Sequence, residues 1–277
     1  MRTEPSPASI KAVALDLDGT LLLPGGILSG RAALALKRCL SWGVRVILAT
    51  GRSAESAEPY RQSIGAEGPM VYFNGAQVLK MPSAEVVSEE LLDPEVVLYA
   101  ADIARRKGLY FQAYIPQKPA LLITEAYTQE AELYRKHTGI RPAVGDIKQA
   151  ATAPGIAGCV KCMFITDAGF HEEIRAELLE RFGPRIYVVR SSPEFLEVLR
   201  AGVSKGQGLA RALDCYGLES SQVIAFGDEE NDLPLLRSAG FAVAPANAKE
   251  EVRLAADKIV PANSEDGVAA FLEAFFT

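Results

Sequence analysis

Five apolar runs constrain this 277-residue chain more than any other feature. "KAVALDL" (11–17), "VRVILAT" (44–50), "PMVYFNG" (69–75), "QVIAFGD" (222–228) and "FAVAPAN" (241–247) are continuously hydrophobic rather than alternating. Continuous apolarity over four to six residues marks strands buried on both faces, the habit of parallel sheets covered by helices. The segments between them fit that reading. Ser29 is placed to cap a helix running to about Trp42, and a second helix is expected from about Ser53 to Ile64. Strand-helix-strand repeats at this spacing imply right-handed βαβ units. "NGA" at 74–76 is a turn signal between "MVYF" and "QVLK", where a hairpin is expected to leave the sheet.

From about Pro82 the texture changes. Helices are expected at about 94–107, 126–137 and 170–182, with strands at "LYFQAYI", "ALLIT", "CVKCMFI" and "RIYVV" and an irregular piece over 141–158. Strands adjacent in sequence and mixed with helices suggest an α+β unit with a largely antiparallel sheet. The parallel pattern then resumes through "SKGQGLARALDCYG", "LPLLRSA" and "DGVAAFLEAFF". The expected fold class is therefore α/β: a Rossmann-like parallel-sheet core of residues 1–81 and 190–277, with an inserted α+β domain of residues 82–189.

Composition narrows the function classes. The formal net charge is −6 and there is no Lys/Arg run, so a nucleic-acid partner is not expected. "MRTEPSPASI" has no apolar leader segment, and no stretch approaches the roughly 18–20 apolar residues of a membrane span, so neither a membrane partner nor export is expected. The expected location is the cytoplasm. Four cysteines, Cys39, Cys159, Cys162 and Cys215, are too few and scattered for a disulfide framework. Cys159 and Cys162 form a C-x-x-C, but they fall in a strand-like run where positions three apart face opposite sides, and no second pair completes a zinc site. A structural role is expected for them.

Acidic residues gather where an open α/β sheet keeps its functional groups, beyond the carboxyl ends of its strands. Asp16 and Asp18 follow one strand, Asp228 with Asp232 another. Two strand ends more than two hundred residues apart meet only as neighbours in one sheet. Carboxylates clustered there raise one another's pKa unless a hard cation such as Mg²⁺ neutralises them. In extended backbone, residues i and i+2 point to one side, so Asp16 and Asp18 can serve one centre, and Gly19 lets the chain turn away. Thr50 and Gly51, ending "VRVILAT" before a helix, are suited to phosphate oxygens, and Lys205 adds a compact positive charge for the same oxygens. Each piece alone has a plain alternative: an Asp-Gly turn, a strand-to-helix loop, a surface lysine, an acidic helix start. What the plain readings leave unexplained is their occurrence together at strand ends.

"DLDGT" (16–20), "ATGR" (49–52), "SKG" (204–206) and "GDEEND" (227–232), in that order, resemble the four motifs of the haloacid dehalogenase superfamily. Asp18 matches its phosphatase and phosphotransferase branches. "NGA" (74–76), "NA" (247–248) and "EDG" (265–267) are similar to the Cof-type subfamily, whose larger α+β cap (C2B type) lies between the second and third motifs. "NDLPLL" and "APANA" depart from the methionine-bearing helix and "MGNA"-like loop often found there.

The resemblance implies that Asp16 is a nucleophile forming an aspartyl-phosphate and that Asp18 is the general acid and then base. It implies Mg²⁺ held by the Asp16 carboxylate, the Asp18 backbone carbonyl and Asp228, with Asp232 in support. Thr50, Gly51, Lys205 and Asn231 would bind the phosphoryl group. Arg52 is read equally as a substrate contact or a helix-start charge. The expected function is a Mg²⁺-dependent phosphatase for a small phosphorylated metabolite, a sugar phosphate or similar, with the cap closing over the site. Its rivals are a phosphomutase or phosphotransferase on sugar phosphates, and a non-catalytic binding or regulatory module, against which the intact aspartates count. Selectivity is expected from the cap, with "FQAYIPQKP" (111–119) and 141–158 considered as the segments facing the site. Tyrosine and arginine there read more readily as packing or surface residues.

Overall fold

The computed structural model describes residues 3–117 and 120–276. Lys118 and Pro119 of "FQAYIPQKP" lie outside the described residues, as do Met1 and Arg2 of the amino terminus. The chain divides into two compact units, Met1–Ser88 with Ser204–Thr277, and Glu89–Val203.

The first unit opens with β1 (Ala12–Leu15), α1 (Gly30–Ser41), β2 (Arg45–Leu48), α2 (Ala54–Ile64) and β3 (Gly68–Tyr72). Both helices start at the expected caps: Ser29 Oγ accepts from Ala32 N and Ser53 Oγ from Ser56 N. Each such cap contributes about 1 kcal/mol. Next, β4 (Gln77–Met81) pairs antiparallel with β3 across the expected turn, and β5 (Glu85–Glu89) extends this small sheet.

The second unit runs through α3 (Pro94–Lys107), β6 (Tyr110–Ile115), β7 (Leu121–Thr124), α4 (Gln129–Thr138), β8 (Ala143–Val144), α5 (Ile147–Ala151), β9 (Lys161–Ile165), α6 (His171–Phe182), β10 (Ile186–Ser192) and β11 (Phe195–Arg200). Its six strands lie in the order β10-β11-β9-β6-β7-β8, antiparallel except for β7 with β8. The irregular stretch 141–158 contains a short strand and the one-turn helix α5, which Asp146 caps by accepting from Gln149 N. Strand β11 escapes the sequence pattern, although it joins β10 to β9.

One sequence reading is corrected here. Cys159 and Cys162 do not face opposite sides of a strand; both are buried in the same apolar cluster with residues of α3, α6 and the sheet. Regular strand geometry begins only at Lys161, so the two-residue alternation does not extend back to Cys159. Among the described residues all four cysteines are free.

Back in the first unit, α7 (Lys205–Tyr216), β12 (Val223–Phe226), α8 (Leu233–Ser238), β13 (Phe241–Pro245), α9 (Glu250–Ala255), β14 (Lys258–Val260) and α10 (Gly267–Phe275) complete the chain. Five parallel strands stand in the order β14-β13-β12-β1-β2, and Ala49 bridges in parallel to Val71 of β3. Ala12, Ala14 and Ile47 pack with Leu209 and Leu235, while the alternate residues Val13, Leu15 and Val46 are equally buried, so both sheet faces are covered. Strand order runs outward from β1 through β2 in one direction and from β12 through β14 in the other. The reversal between β1 and β12 is the switch point where such sheets present a site.

No helix among the described residues is long and apolar enough to cross a membrane.

Candidate active site

Leu15 aligns with Phe226 and with Leu48, so β1, β12 and β2 end at one level. Asp16 continues the ladder for one more bond, its N–H donating to the Phe226 carbonyl, and the chain then turns sharply over 17–21. Both aspartates of "DLDGT" therefore lie past the end of the regular strand, and the turn sets their placement. Gly19 is required twice. Its φ of 81° is left-handed, and a Cβ there would overlap the Asp228 carboxylate. Thr20 Oγ1 donates to Asp228 Oδ1 at 2.6 Å, and Asn247 Nδ2 donates to the Gly19 carbonyl at 2.8 Å, so the first turn and the fourth motif are locked together.

Lys205 opens α7 behind its cap Ser204 and is 1% exposed. Its Nζ donates to Asp16 Oδ1 at 2.5 Å and to Asp232 Oδ1 at 2.6 Å. The other oxygen of Asp232 accepts from the backbone N–H of Asp228 and of Glu229, each at 3.0 Å. Both Asp232 oxygens are thus engaged, and its role is to hold Lys205 and the 228–229 backbone. Asp18 goes another way. Arg52 grips it with both arms, Nε to Oδ2 at 2.6 Å and Nη2 to Oδ1 at 2.7 Å, while Nη1 donates to Ser56 Oγ. Arg52 is buried and Asp18 is about a third exposed, so the pair turns the Asp18 carboxylate outward from a fixed guanidinium. Thr50 is buried at the end of β2 with its Oγ1 accepting from Arg52 N, and Gly51 lies beside the Asn74 amide. Asn231 Nδ2 donates to Asn74 Oδ1 at 2.9 Å.

The charges do not balance. One oxygen from each of Asp16, Asp228 and Asp232 can lie within 4.8 Å of the others, and these three carboxylates share one ammonium. Burial pushes the Asp16 carboxyl well above its usual range; Lys205 opposes this, while Asp232, Asp228 and Asp18 add to it by repulsion. Asp228 is pushed up to about 7 by burial and by Asp232, against the Thr20 hydrogen bond. For Lys205 burial works against the charge, but Asp16 and Asp232 outweigh it and hold the ammonium above its ordinary range. A buried excess of two negative charges on hard oxygen donors suits one divalent cation. The Asn231 amide oxygen, buried without a hydrogen-bond partner among the described residues, is a further hard donor beside Asp232 in the chain.

The structure thus brings Asp16, Lys205, Asp228 and Asp232 together, with Asn231 and Thr50 both tied to Asn74. Sequence reasoning gave no role to Thr20 or Asn74 and did not pair Arg52 with Asp18. The first two stood in quoted motifs, but their partners lie 208 and 157 residues away.

A parallel sheet with clustered carboxylates and a buried lysine at its switch point places the chain among α/β proteins with a charged strand-end site, and comparison makes the class specific. The model of the haloacid dehalogenase-like hydrolase family matches residues 13–272. A crystal structure of a haloacid dehalogenase-like hydrolase from Bacteroides thetaiotaomicron is 32% identical, with a TM-score of 0.85 over 96% of this chain and 100% of that one. The 5-amino-6-(5-phospho-D-ribitylamino)uracil phosphatase YwtE of Bacillus subtilis is 25% identical over 95% of this chain and 97% of its own length. Pyridoxal phosphate phosphatase YbhA of Escherichia coli is 26% identical over 95% and 97%. The chain belongs to the haloacid dehalogenase-like hydrolase family and is an enzyme of its phosphatase type.

Proposed function

We propose that this protein is a cytoplasmic, Mg²⁺-dependent phosphatase for a small phosphorylated metabolite, working through an aspartyl-phosphate on Asp16. The observation that carries this is the Lys205 bridge between Asp16 and Asp232 beside Asp228, a buried site with one cation too few. The first unit is the catalytic core, and the insertion supplies substrate selectivity. Relatives named for a phosphoribitylamino-uracil and for pyridoxal phosphate support a small organic monoester as the substrate class.

In the first step an Asp16 oxygen attacks phosphorus, the bond to the leaving oxygen breaks, and Asp18 gives that oxygen its proton. In the second, Asp18 takes a proton from water, the water oxygen attacks the same phosphorus, and the bond to Asp16 breaks to release inorganic phosphate. Lys205, Thr50 and Asn231 neutralise or bind the phosphoryl oxygens in both steps. Asp16, the Asp18 backbone carbonyl and Asp228 would hold Mg²⁺, which when bound would supply the positive charge that lets an anionic nucleophile meet an anionic phosphate. Arg52 holds the Asp18 carboxyl group by both oxygens, and loosening of that clamp would precede its proton transfers.

Phosphate release from p-nitrophenyl phosphate with and without Mg²⁺ tests the reading. Asp16→Asn, shown folded by circular dichroism, is expected to lose on the order of 10⁴-fold in kcat. Full activity in this variant would remove Asp16 as the nucleophile, and phosphoryl transfer to a sugar outrunning release to water would replace the phosphatase with a transferase.

A further inference from the structure

The turn after β3 is unusual in its backbone. Phe73, Asn74 and Gly75 all have positive φ, at 49°, 57° and 99°. Left-handed backbone is disfavoured for a residue with a Cβ, most of all for a bulky one, and persists where surrounding bonds impose it. Those bonds run to the site. Phe73 N donates to the Arg52 carbonyl, and Asn74 N to the Thr50 carbonyl. Gly75 packs beneath the carbonyl of Ser204, the cap of the helix carrying Lys205, where a Cβ would collide. From this position Asn74 Oδ1 accepts from Asn231 Nδ2 at 2.9 Å, with both side chains buried.

We propose that Asn74 is a positioning residue that orients the Asn231 amide toward the phosphoryl group, an inference that rests on the phosphatase reading above. An amide nitrogen carries two hydrogens. Asn74 takes one, which fixes the plane of the Asn231 amide and leaves the second for a phosphoryl oxygen. The amide oxygen of Asn231 has no partner among the described residues, so the bond to Asn74 is what holds its rotation. The same turn bonds the backbone at Thr50 and Arg52, so the orientation of Asn231 is referred to the strand end bearing the other phosphate ligand.

A double-mutant cycle decides this. Asn74→Gly keeps a residue at ease with positive φ and removes only the side chain. On the wild-type background it is expected to raise KM for p-nitrophenyl phosphate and the inhibition constant of inorganic phosphate together, by about tenfold. On an Asn231→Ala background the same change is expected to shift them less than about twofold, because the amide to be oriented is gone. Equal losses on both backgrounds, or no loss on the wild type, would overturn the inference. Should the glycine variant not fold, Asn74→Ala runs through the same cycle. An inactive wild-type enzyme would count against the phosphatase reading itself, and an active one with an unaffected Asn74→Gly against this inference alone.

Discussion

Among the described residues two lysines are almost completely buried, Lys161 and Lys205, one in each unit, and they are held in different ways. Lys161 of β9 donates to Glu197 of β11 at 2.8 Å, with the Tyr114 ring 5.9 Å away and Ser191 Oγ donating to the same Glu197 oxygen. That ion pair matches one ammonium with one carboxylate. Lys205 instead bridges two aspartates with a third close by. Burying charge is expensive in either place, since several kcal/mol of hydration are lost per ion and only good pairing returns them. A directly bonded ammonium and carboxylate return much of that cost within the fold. A cluster left with surplus negative charge sheds it by taking up protons or a further cation, and under the phosphatase reading proposed above that surplus is where the metal would sit.

This contrast can be broken most directly at Lys161. Replacing it by Met strands a buried carboxylate, and urea denaturation is expected to show a loss of about 3–5 kcal/mol. At temperatures well below the transition, kcat should remain near wild type. Replacing both partners, Lys161→Met with Glu197→Leu, should recover most of the stability, since a well-packed apolar pair often equals a buried ion pair. A collapse of kcat with intact stability would show that Lys161 belongs to the chemistry and that charge balance does not separate the two lysines.

A smaller effect sharpens the other half. In the metal-free protein the carboxyls of Asp16 and Asp228 sit above their ordinary value of 3.8, Asp228 at about 7. Between about pH 4 and pH 7 the native state therefore holds protons that the unfolded chain has lost, and this contribution to stability falls as pH rises through that window. Mg²⁺ competes for the same oxygens, so its increase of Tm is expected to be larger at about pH 7.5 than at about pH 5. A larger increase at the lower pH would refute binding at these carboxylates.

The smallest expected effect concerns the thiols. Burial pushes Cys39 up to about 11 and Cys159 up to about 12, and raises Cys162 as well. Of the four, only the exposed Cys215 should react quickly with a thiol reagent in the native protein, and its modification should leave activity unchanged. Rapid loss of two thiols would return the C-x-x-C to consideration.

Four strands of the parallel sheet, β1, β2, β12 and β13, were legible as unbroken apolar runs, helped by caps such as Ser29 and Ser53, whereas β14, three residues with two of them exposed, carries no such run and was not read. Asp16 and Asp228 were legible as charges standing where apolar runs stop, and Lys205 as a charge opening a helix behind its cap Ser204. Less was visible in the second unit. Strand β11, "FLEVLR", has its apolar run interrupted by Glu197, which looks solvent-facing until the fold buries it against Lys161. Cys159 read as a strand residue because nothing local marks the start of regular geometry at Lys161.

Sequence by itself determined the α/β class, the strand ends where charged and polar residues gather and the residue types placed there, because burial pattern and turn chemistry act over a few residues. Only the tertiary structure decided which groups meet: Arg52 with Asp18, Thr20 with Asp228, Asn74 with Asn231, and Lys205 shared between two aspartates. Those pairings span from 27 to 208 residues. Side chains that far apart meet only once the sheet order and registers have brought their strand ends together, and no local pattern encodes that distance.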